Sequence, residues 1–340
     1  MGKYESMKAD KHESGQVCKY ASEKQACLFY LSYLCSLKKV RNLYSSYMII
    51  KEIETKNVLT KSNLPVSDYS VNPYVGCTHA CKYCYASFMK RFTNHPEPWG
   101  EFLDVKYWPN ITHPEKYRGK ELFFGSVTDP YNPQEETYKR TRSLLEQLKG
   151  SGIKLSIQTK SDLVLRDIDL IKSFPDARVG FSINTLDENF KNDMDKAASI
   201  ERRLSAMKQM HDAGIRTTCF ISPIFPGITD VEAIIEQTKD QCNLVWLENL
   251  NLRGSYKSVI LEYISTKRPD LIPLYKDIYE KGNRSYWETL DAKVRSYAAK
   301  NKLEYVRDDD SMKKPFSAPP VIVNFFYHEE ITKSAKAAKR

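Results

Sequence analysis

"YSVNPYVGCTHACKYCYASFMKRF", residues 69–92, sets Cys77, Cys81 and Cys84 at spacings of four and then three, with no fourth cysteine nearby. A structural zinc site wants four ligands, its thiolates paired as C-x2-C with a second pair further along. Only one such pair exists here, and His79 would be an awkwardly close fourth ligand. A ferredoxin cluster takes four thiolates, with two residues between successive cysteines in the bacterial pattern. C-x3-C-x2-C fits neither. Three thiolates on a four-iron cluster leave one iron with an open position, able to bind a small chelating ligand and pass it an electron.

The stretches after the cysteines alternate strand-like and helix-like patterns. "ELFFGSV" (121–127), "IKLSIQT" (153–159), "RVGFSIN" (178–184), "IRTTCFIS" (215–222) and "LVWLENL" (244–250) read as strands. "PQEETYKRTRSLLEQLKGSG" reads as one helix with acids in its first turn and Gly150 at its end. "LRDIDLIKSF" (165–174) and "SIERRLSAMKQMHDAG", ending at Gly214, read as further helices, and Asp230 is placed to cap "VEAIIEQTKD". With "YSVNPYV" first, six strands separated by helices predict a parallel α/β sheet or barrel. Ligands in such folds sit at the carboxyl ends of the strands. The cysteines follow the first strand. Ser126, Thr128, Asp129, Gln158, Lys160, Ser182, Asn184, Ser222, Glu248, Asn249 and Asn251 end the others, so all belong to one face.

The 340 residues are 41% hydrophobic and 28% charged, as in an ordinary globular protein. The formal charge of +9 points to nucleic acid until it is located. Residues 1–47 carry eight Lys/Arg against four Asp/Glu, and the tail 331–340 carries four basic residues and no acid. The body is therefore nearly neutral. Such ends are ordinarily just solvated; contact with nucleic acid is the functional alternative. No stretch approaches the roughly 20 apolar residues of a membrane span. "ACLFYLSYLC" (26–35) is too short and too far from the start for a typical signal peptide. These features predict a cytoplasmic protein without membrane contact, in which close-set cysteines mean metal or catalysis rather than disulfides.

C-x3-C-x2-C with Tyr83 before the last cysteine resembles the signature of the radical SAM superfamily. "SVNPYVGCTHACKYCYA", "GSVTDPYNPQE", "TKSDL", "FSINT" and "SPIFPGI" together resemble its spore-photoproduct-lyase-like branch, and within it the radical SAM mobile pair protein B family. The resemblance implies a partial (βα)6 TIM-type barrel over residues 48–255, with a [4Fe-4S] cluster on Cys77, Cys81 and Cys84. S-adenosylmethionine would chelate the open iron through its amino and carboxylate groups. Its reductive cleavage would yield a 5′-deoxyadenosyl radical that abstracts hydrogen from substrate. An electron donor such as flavodoxin or ferredoxin, and a companion radical SAM protein, are implied partners. Nucleic acid is the favoured substrate by analogy with the branch. The alternative is a non-catalytic iron–sulfur or zinc protein serving as redox carrier or sensor.

The superfamily often carries a Gly-Gly-Glu-like segment after the second strand to hold the methionine amino group; "SVTDP" stands there instead. The resemblance gives that role to Thr128 and Asp129. It brings Lys160 to the carboxylate or sulfonium, and Ser182 and Asn184 to the carboxylate or ribose. Arg202 is a further candidate for a carboxylate clamp. Tyr83 accompanies the cluster. Ser126 occupies the position of the lyases' hydrogen-donating cysteine, and its strong O–H bond argues against photoproduct repair itself. Cys219 and Cys242 read as ordinary buried thiols. Residues 1–47 read as an extension preceding a domain that opens at Met48. Residues 256–330 read as a helical and strand segment closing the barrel. "SAPPVIVNFFYHEE" (317–330) would be its strand or lid, bringing Tyr327, His328 and Glu329 to the mouth, or else a surface tail. Arg253, just after the sixth strand, is a substrate-side candidate.

Overall fold

The computed structural model describes residues 48–64, 67–306 and 321–326. The chain divides into two units, 1–48 and 49–340, and every strand and helix described belongs to the second. The main sheet runs β2 (Leu59–Lys61), β3 (Tyr69–Val71), β6 (Glu121–Phe124), β7 (Lys154–Thr159), β8 (Asp176–Ser182), β9 (Arg216–Ile224) and β10 (Leu244–Asn249). It continues through β12 (Ile322–Phe326) to β11 (Glu304–Val306). All neighbours are parallel except β2 against β3.

From β3 to β10 the sheet order follows the chain order. Right-handed crossovers in one direction keep the crossover helices on one face and curl the sheet around the other. The side chains agree. Alternate residues on neighbouring strands form one buried apolar face: Leu155 and Ile157, Val179 and Phe181, Cys219 and Ile221, Val245 and Leu247. Leu144, Leu148, Met207, Met210, Ile234 and Ile235 from the crossover helices pack into the same core. The other face, by period two, carries Ser156, Gln158, Gly180, Ser182, Thr218 and Ser222. The fold is the partial TIM-type barrel, apolar outside and polar within.

Two elements differ from the sequence reading. "YSVNPYV" is interrupted at Asn72-Pro73. β3 stays in the barrel, while β4 (Tyr74–Val75) joins a small sheet with β5 (Phe102–Tyr107) and β1 (Ile49–Glu54). The freed Asn72 amide spans the gap, donating to Ser126 Oγ at 2.8 Å and accepting from Val127 N at 3.1 Å. The single helix expected after β6 is two, Glu135–Tyr138 and Arg140–Leu148, broken where Lys139 adopts φ +49°. Buried Glu135 reaches across the break and accepts from Thr141 N and Arg142 N, capping the second helix.

Within the C-terminal segment, Ile322–Phe326 is a strand that pairs with β10. Tyr327, His328 and Glu329, the basic tail and the extension 1–47 lie outside the described residues. No helix among the described residues is long and apolar enough to cross a membrane.

Candidate cofactor site

The cysteine loop lies over the carboxyl ends of the first barrel strands and closes one side of a cavity of about 100 Å³. Cys77, Cys81 and Cys84 line it from the loop, Ser126, Thr128 and Asp129 from the turn after β6. Gln158 and Lys160 enter from the end of β7, and Ser182 from the end of β8. Six of the residues expected at the site from their strand-end positions therefore share one wall.

The two loops are stitched together. Thr128 Oγ1 donates to the Gly76 carbonyl at 2.5 Å, and His79 Nε2 lies 3.0 Å from Asp129 Oδ2. Gly76 also packs tightly against β5: at φ +88°, a Cβ there would stand 2.4 Å from the Phe102 carbonyl oxygen. Asp129 also accepts from Tyr131 N (2.9 Å) and Thr159 Oγ1 (2.7 Å) at Oδ1, and from Lys160 N (2.7 Å) at Oδ2. Burial would push this carboxyl up, but the His79 ring and these hydrogen bonds more than offset it and hold it below the usual range.

The thiols are in the opposite condition. Burial pushes Cys77 up to about 12, assisted by the Asp129 charge, and Cys81 and Cys84 are pushed up as well. By themselves they are protonated at neutral pH. Backbone N–H groups of His79 and Asp129 oppose the shift at Cys77, those of Ala86 and Ser87 at Cys84, and the Lys160 charge at Cys81 and Cys84. Metal charge would complete the deprotonation. Three thiols on one cavity wall, Cys77 buried and Cys81 and Cys84 half-buried, with N–H donors directed at sulfur and a cation across from them, fit an iron–sulfur cluster.

The remaining candidates fall into two groups. Ser182 Oγ accepts from Gln158 Nε2 at 3.0 Å, and Gly180 keeps that contact open, since a Cβ there would lie 2.2 Å from Gln158 Oε1. Lys160 Nζ stands 5.7 Å from the Tyr83 ring centre. Tyr83 is buried behind the cysteines, its hydroxyl donating to Asp195 at 3.1 Å and its ring edge-on to Phe225. Asn184 is buried two residues beyond Ser182, its amide 3.5 Å from the Pro223 carbonyl. Arg202 is not at the cavity. Its side chain is 63% exposed and grips Asp162 through two nitrogens. The adjacent Arg203, 1% exposed, points inward and binds Asp195 at 2.8 Å and the Ser182 carbonyl at 3.1 Å. Helical phase decides this: residues one apart diverge by about 100°. Only the register of that helix could have distinguished them. Both oxygens of Asp129 are filled by the protein itself.

A family model described as the radical SAM superfamily matches residues 71–237. The chain belongs to that superfamily, whose cofactors are a [4Fe-4S] cluster and S-adenosylmethionine. It is 40% identical over 213 residues to an uncharacterised protein of Methanocaldococcus jannaschii, covering 62% of this chain and 81% of the relative. A radical SAM Nα-GlyT isomerase of Pseudomonas phage M6 is 26% identical over 172 residues, covering 48% of this chain and 35% of that one. A solved spore photoproduct lyase with bound AdoMet and dinucleoside spore photoproduct superposes with a TM-score of 0.48 at 16% identity. That match covers 64% of this chain and 67% of the lyase.

Proposed function

We propose that this protein is a radical SAM enzyme in which Cys77, Cys81 and Cys84 each hold one iron of the cluster. The convergence of the three thiols with the strand-end Thr128, Lys160 and Ser182 on one cavity carries this reading. When bound, the cluster supplies the electron that cleaves S-adenosylmethionine to a hydrogen-abstracting radical. The chain's own part is to bind, orient and exclude water. Lys160 supplies the positive charge suited to the methionine carboxylate. The hydroxyl of Ser182 is oriented by Gln158, and Thr128 fixes the turn against the cysteine loop. Burial of Cys77 and of Tyr83 helps to exclude water from the site, as a reactive radical requires.

Nucleic acid is the substrate class that the rim supports best. Directly after Cys84, the turns Tyr85–Phe92 expose Tyr85 (52%), Phe88 (44%) and Phe92 (66%). The Arg91 guanidinium lies over both phenylalanine rings, at 5.5 and 4.6 Å. Aromatic faces interleaved with Lys90 and Arg91 suit unstacked bases and their phosphates, stacking contributing roughly 1–3 kcal/mol per base. Arg253, exposed on the loop after β10, stands beside Tyr256.

The test is anaerobic reconstitution with iron and sulfide, then dithionite and S-adenosylmethionine, assaying 5′-deoxyadenosine beside a Cys84→Ala control. Product that disappears in the control supports the enzyme reading. A reducible cluster that neither binds S-adenosylmethionine nor releases the nucleoside would favour a non-catalytic redox protein. For the substrate, Phe88→Ala/Phe92→Ala should weaken a single-stranded oligonucleotide at least fivefold in fluorescence anisotropy. Unchanged binding would remove nucleic acid from consideration at this rim.

A further inference from the structure

His79 sits in the middle of the cysteine loop, 2% exposed, and its two ring nitrogens have different fates. Nε2 faces Asp129 Oδ2 at 3.0 Å. An ionised carboxylate only accepts, so Nε2 carries the hydrogen. The ring cannot turn away without leaving Asp129 short of a donor, because that carboxylate's other three acceptor positions are already taken by Tyr131, Thr159 and Lys160. Nδ1 is buried and has no hydrogen-bond partner among the described residues. In the neutral ring with hydrogen on Nε2, Nδ1 is an acceptor. A buried acceptor left empty on a cavity wall points to a ligand that fills it.

The other polar groups of the cavity narrow the choice. Asp129 has no acceptor position left, and the Ser126 and Ser182 hydroxyls are already engaged by Asn72 and Gln158, so the buried cavity atom without a hydrogen-bond partner among the described residues is His79 Nδ1. Thr128 spends its hydrogen on the Gly76 carbonyl. Lys160 supplies positive charge, which suits the carboxylate end of an amino acid and repels its amino end. An amino group brings N–H donors and needs an acceptor. We propose that His79 Nδ1 accepts a hydrogen bond from the amino group of S-adenosylmethionine, and that Asp129 acts on the cofactor only by orienting His79. This rests on the radical SAM reading of the site. Asp129 is thereby a positioning residue, and the absent Gly-Gly-Glu-like segment is replaced by a histidine from within the cysteine loop.

Two substitutions separate the ends of the ring. His79→Gln places an amide where Nε2 meets Asp129 and nothing at Nδ1; His79→Asn does the reverse. Each reconstituted protein is measured for iron and sulfide content, for the EPR spectrum and midpoint potential of the reduced cluster, and for S-adenosylmethionine affinity by equilibrium dialysis. His79→Gln should assemble a cluster with wild-type content and potential yet bind S-adenosylmethionine about tenfold more weakly, a difference of about 1.4 kcal/mol. A desamino analogue should bind wild type and His79→Gln alike. His79→Asn should lose cluster yield and keep the affinity per cluster assembled. Equal S-adenosylmethionine affinity in wild type and His79→Gln would overturn the proposal alone. So would a shifted potential with unchanged affinity, which would put the ring on the cluster instead. A wild-type cluster that binds no S-adenosylmethionine would overturn the proposal together with the reading beneath it.

Discussion

Arg202 and Arg203 are neighbours with opposite consequences. Arg202 pairs with Asp162 in solvent, and exposed pairs contribute about 0–1 kcal/mol. Arg202→Ala should therefore leave the melting temperature within a degree or two and S-adenosylmethionine affinity unchanged. Arg203→Ala leaves Asp195 buried without its guanidinium partner, a loss of about 3–5 kcal/mol. Thermal unfolding of the two variants checks the contrast; equal effects would mean the helix phase is misread. Gly180→Ala tests the Gln158–Ser182 contact. The backbone there has no left-handed φ, so the fold should survive, while the displaced Gln158 amide lets Ser182 turn. S-adenosylmethionine affinity should fall severalfold with little change in melting temperature.

Among elements, the broken helix after β6 depends on a buried charge network. Asp167 accepts from Arg142 and Arg166, Arg166 also binds Glu135, and Glu135 caps the helix Arg140–Leu148. Burial would push the Asp167 carboxyl up, but its bonds to Arg166 and Arg142 outweigh this and hold it below the usual range. With the folded value depressed, its contribution to stability is complete above the ordinary aspartate value near pH 4. It is lost as pH falls through the lower folded value. Asp167→Asn should destabilise the protein at pH 7 and flatten the fall in stability between about pH 5 and 2, measured by urea unfolding across that range. The helix break itself was not legible. Glu135 and Lys139 look like ordinary helix formers, and only their neighbours in space, Arg166 and Thr141, show why the chain turns there. The strands were legible because β-branched and aromatic runs alternating with amphipathic helices allow few other topologies.

The second unit, from Ile49 on, holds an open barrel whose last strands come from far along the chain. β12 covers β10, and buried Val323 joins the main core beside Val245 and Leu247. Ending the chain after Val306 should uncover the edge of β10. Lower solubility and a melting temperature reduced by several degrees are expected, seen by light scattering and thermal denaturation. The sequence by itself determined the parallel α/β topology, the three cysteines and the strand-end face, because hydrophobic period and ligand spacing are local properties of the chain. It also pointed to Thr128, Lys160 and Ser182, since residues that end parallel strands must lie together. Only the tertiary structure decided that Asp129 is saturated, that Arg203 rather than Arg202 turns inward, and that His79 keeps one nitrogen without a partner among the described residues. Those are outcomes of hydrogen-bond accounting between segments distant in the chain, as His79 and Asp129 are, and no local pattern records which donor reaches which acceptor first.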